Sequence, residues 1–148
     1  MFAVFYNDND NLVLLNHQLF LYHGLVSLVL CLFYLNHLLF LEQADVITQR
    51  LVGILDQCAQ SQEPQVPEAL QLDAHHMAQL AQEVSLSSVH LVADALAAQL
   101  ARLRTTRIVA DIQTSLQGAQ EVSRLLHQFA VGNVREPQES VLAALRGD

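Results

Sequence analysis

The sequence predicts an all-α protein, with an N-terminal hydrophobic helix suited to crossing a membrane and an amphipathic helical bundle or coiled-coil region after it. Three observations lead there. Between Asp10 and Glu42 lie 31 residues without a fixed charge, thirteen of them Leu. From Glu68 to Gln117 there is neither Gly nor Pro, and the good helix formers Ala, Leu, Gln, Glu and Arg dominate. No segment alternates apolar and polar residues for more than four or five positions, so nothing reads as a half-buried strand.

Composition divides the chain near Leu41–Glu42. Residues 1–41 hold five of the six Phe, all three Tyr and five of the six Asn, with one Ala and no Arg. From Glu42 onward there are sixteen Ala, fifteen Gln and all seven Arg. One domain in one solvent rarely splits its alphabet this way, so the break marks a change of surroundings.

Residues 1–18 form a polar and aromatic leader. Leu19–Leu41 is 23 residues long and interrupted only by His23, Gly24, Ser27, Asn36 and His37. About 20 helical residues match the ~30 Å hydrocarbon layer of a bilayer. Apolar residues occur on every side of this helix, as a lipid-surrounded segment requires. Within it Gly24, Ser27 and Cys31 fall on one face, where small side chains permit close approach of a second helix. His23, Asn36 and His37 fit the interfacial regions better than an ion pathway, which needs more polar groups. A cleavable signal peptide is not expected, because residues 1–18 hold no Lys or Arg and small residues are missing near Leu41. Two other accounts of the segment are a helix buried in a soluble core and an atypical or alternative N-terminus. Arg50 is the only basic residue near the span, and it points the C-terminal part toward the cytoplasm.

Residues 42–59 read as an amphipathic helix with Ile47, Leu51, Ile54 and Cys58 on one face, which makes Cys58 a small buried hydrophobe. Residues 60–68 (QSQEPQVPE) form a Pro/Gln linker. Residues 69–131 are expected to form a long helical hairpin or coiled coil. Val89, Ala93, Leu96, Leu100 and Leu103 make one seam at steps of 4 and 3, and Ile108, Ile112, Ser115, Ala119, Val122, Leu126 and Phe129 make another. The two are out of register by one residue, which calls for a turn or rewinding near Arg104–Arg107. Ser85–Ser88 is a second weak point. Gly132-Asn133 ends the helix, and Pro137 opens a short C-terminal helix within 132–148. With so few helices to cover them, the seams are expected to face other helical chains, either copies of the same chain or different subunits.

Reactive chemistry is hard to find. His76, Glu83, His90 and Asp94 step by 7, 7 and 4, so a single helix could align them. No E-x-x-H or H-x-x-x-H pair accompanies them, so no metal site is expected. Ser85, Ser87, Ser88 and Ser123 lack a nucleophile elbow, and the five Gly are isolated, without a phosphate loop. Arg146-Gly147-Asp148 matches an integrin-type tripeptide, too short a match to carry meaning. No catalytic residue, cofactor or metal is assigned. A net charge of −8 without any Lys argues against nucleic-acid binding. The expected function is therefore a non-enzymatic, single-pass membrane tether, adaptor or complex subunit. The alternative is a soluble helical subunit of a cytoplasmic complex.

Overall fold

The structure is a computed structural model and describes residues 8–106 and 109–148. These residues form α1 (Asp8–Gln60), α2 (Glu68–Glu83), α3 (Ser87–Thr106), α4 (Val109–Ala130) and α5 (Glu139–Arg146), with no strand among them. The fold is all-α. Two compact units divide the chain, Met1–Leu38 and Leu39–Asp148, and α1 contributes to both.

In the first unit, uncharged sequence without Pro keeps α1 helical from residue 11 onward, and its side chains from Leu12 to Leu38 are exposed apart from half-buried His37. The second unit has a continuous core. The later part of α1 contributes Phe40, Ala44, Ile47, Leu51, Leu55 and Cys58, spaced at three or four residues along one stripe. Phe40 stands edge-on to Phe129 of α4, with centroids 5.9 Å apart. Arg50 grips Asp73 of α2, its Nε 2.8 Å from one carboxylate oxygen and its Nη2 donating to the other at 3.0 Å. Cys58 is buried, and its thiol donates to the Gln65 carbonyl at 3.4 Å. Beyond α1, α2 packs on α3, α3 on α4, and α5 on both α3 and α4.

The expected long hairpin of residues 69–131 is three helices. The first break falls at the serine cluster. Ser85 takes the left-handed conformation at φ 58°, and Leu86 N–H reaches back to the Ala81 carbonyl at 2.8 Å. That closing bond satisfies a helix-end carbonyl that would otherwise lack a partner. Farther along, α3 and α4 are separate helices packed on each other, so the described residues of the two seams belong to different helices and need share no register. Farther on, Gly132 takes φ 85° past the end of α4, and Asn133 N–H donates to Gln128 O at 2.8 Å. The last helix begins at Glu139, two residues after Pro137, with Gln138 as its N-cap.

Candidate functional site

The first unit carries the largest apolar surface. Phe20 is 76% exposed, Leu28 57% and Phe33 63%, and Leu, Val, Tyr and Phe project from it all round the helix. A folded domain in water keeps single apolar residues at its surface, not a ring of them along seven turns. His37 is locally satisfied: its Nδ1 lies 2.9 Å from the Phe33 carbonyl, with the ring tilted against the Phe33 ring at 4.2 Å. Gly24, Ser27 and Cys31 all lie on the exposed surface, and a Cβ at Gly24 would meet nothing within 4 Å.

The seam residues sit elsewhere than expected. Val89, Ala93, Leu96, Leu100 and Leu103 on α3, and Ile112, Ser115, Ala119, Val122 and Leu126 on α4, are buried within this chain's own fold, while Phe129 is half-buried against Phe40. Ile108 lies outside the described residues. These stripes belong to one core cluster with residues of α1, α2 and α5, and α3 and α4 also pack on each other. Residues 42–59, expected as an amphipathic helix, and the short helix expected within 132–148 both supply core leucines.

The histidine series does not share a helix, because the turn after α2 separates His76 and Glu83 from His90 and Asp94. His90 Nδ1 instead lies 2.9 Å from the Ala78 carbonyl and ties the start of α3 to α2. Among the described residues no three His, Cys, Asp or Glu gather as a metal site requires. The Arg146-Gly147-Asp148 tripeptide is a helix end: Gly147 takes φ 81°, and Asp148 N–H donates to the Ala143 carbonyl at 3.0 Å.

No family model, curated protein or solved structure matches the chain.

An ion pair with a buried carboxylate was not singled out from the sequence. Glu121 lies off the apolar seam of α4, yet its side chain is only 3% exposed and lies 2.6 Å from Arg124 Nη2. It also accepts the Gln138 N–H at 2.9 Å, while Arg124 donates to the Glu136 carbonyl at 3.3 Å. Burial pushes the Glu121 carboxyl pKa up, but the Arg124 hydrogen bond, the Gln138 N–H and the Arg124 charge outweigh it and leave the value below normal. This arrangement latches the chain after α4 onto α4 itself. The i,i+3 spacing of Glu121 and Arg124 was visible in the sequence, but the segment that buries them was not.

Proposed function

We propose that the chain is a non-enzymatic, single-pass membrane protein whose helical domain, residues 39–148, serves assembly as a tether, adaptor or complex subunit. The membrane part rests on one observation: a helix long and apolar enough to cross a bilayer, whose most hydrophobic stretch is only 6% buried by the rest of the chain. A core helix of a soluble protein would be mostly covered. Between Leu19 and Leu39 there are thirteen Leu, Val and Phe. At about 0.3–0.6 kcal/mol each on insertion scales they favour transfer by roughly 4–8 kcal/mol, enough to offset the few uncharged polar side chains. Arg50, the first basic residue after the span, favours the cytoplasmic side for the domain. The assembly role rests on a small, wholly helical domain that continues directly from the apolar helix.

Alkaline carbonate extraction of the full chain tests the membrane part. The protein should stay in the pellet, and replacing Leu28 and Leu30 with Asp should release it, at roughly 2.5–3.5 kcal/mol per central charge. Full release of the unaltered protein would favour the soluble-subunit alternative.

A further inference from the structure

Helix α5 is held in the groove of α3 and α4 by contacts that read both its ends and its middle. At its N-terminus the Glu121 carboxylate accepts the Gln138 N–H at 2.9 Å, placing negative charge at the positive end of the helix dipole. At its C-terminus the Arg102 guanidinium donates to the Leu145 carbonyl, placing positive charge at the negative end. Between the two, Leu142 and Leu145 are buried, and Leu145 fills space that exists because residue 118 is Gly: a Cβ there would come within 2.9 Å of both its δ-methyls. An eight-residue helix has no stability of its own, so it forms only where such a groove accepts it. The segment leading to it, residues 131–138, is almost wholly exposed. From Glu136 to Gln138 it is anchored through side chains, by Arg124 on the Glu136 carbonyl and Glu121 on the Gln138 N–H.

We propose that the α3–α4 groove is a helix-accepting site, and that α5 is an exchangeable strap whose second occupant is the α5 of another copy, so that two chains swap C-terminal helices. A second copy fits by identity: it presents the same pair of leucines at i and i+3, the same free N–H for Glu121 and the same carbonyl for Arg102. An unrelated helix would have to match all four. Opening requires rotation only in residues 131–138, and eight extended residues reach roughly 26 Å, enough for a neighbouring groove. This inference does not depend on the membrane reading.

The test uses two differently tagged full-length chains, co-expressed and solubilised in mild detergent, with a synthetic peptide of residues 131–148 as competitor. The two tags should co-purify, and excess peptide should cut capture of the second tag at least tenfold, whereas a scrambled peptide of the same composition should not. Absence of co-purification would show that α5 docks only within its own chain and would overturn the proposal. A pair that resists the peptide, or yields equally to the scrambled one, is held by some other surface and overturns it as well.

Discussion

Glu121 shows how one residue's role depends on chain distant in sequence. On a helical wheel it belongs with Asp111, Gln113 and Arg124 on the polar side of α4. Its burial arises because residues 136–138 fold back over it, and their N–H and C=O groups then need the partners that Glu121 and Arg124 supply. Glu121→Gln keeps an acceptor for Gln138 but sets an amide against the guanidinium. A loss of about 1–2 kcal/mol is expected in chemical denaturation, the low part of the range for charged hydrogen bonds because Arg124 remains part-solvated. The pH dependence has a definite sign. The carboxyl titrates in the folded state below its ordinary value of 4.5, so its contribution is complete above that pH and is lost as pH falls through the folded value. The Gln variant should therefore lose less stability than the parent below about pH 4.5, measured as denaturation midpoint against pH.

At the scale of elements, periodicity located the buried stripes of α3 and α4. The steps of 4 and 3 in α3 and α4 pick out Val89, Leu96, Leu100, Leu103, Ile112 and Val122, all buried. The serine cluster marked the place where α2 gives way to α3, and the register slip between the seams reflects that α3 and α4 are separate helices packed on each other. What periodicity could not say was which surface covers each stripe. An amphipathic face looks the same whether it meets its own chain or another. The consequence is testable. Replacing Val122 and Leu126 with Ala should lower the thermal midpoint, with roughly 2–5 kcal/mol lost at the leucine alone, and leave the mass in solution unchanged. A fall in oligomer mass with the midpoint preserved would mean that this seam faces a second chain after all.

At the scale of the molecule, the composition break near Leu41–Glu42 falls within a few residues of the boundary at Leu38–Leu39 between the two units. It was legible because solvent selects residues. A surface in water needs charge and amide, and the Gln- and Arg-bearing second unit has them; a surface in hydrocarbon tolerates Leu, Phe and Val in every direction. Phe40 and Leu41 escaped that logic. They read as the end of the span, yet Phe40 is buried in the second unit against Phe129, because aromatic residues suit a protein core as well as a lipid layer.

The membrane-crossing claim is tested most directly by glycan mapping of topology. Acceptor sites for N-linked glycosylation are appended beyond each end of the full chain, one at a time, and each protein is synthesised with microsomes. A single crossing helix places the two ends on opposite sides, so one tagged protein should be glycosylated and the other not, with the acceptor after Asp148 unmodified if the domain is cytoplasmic. Modification at both ends, or at neither with the protein released by carbonate, would contradict a single span.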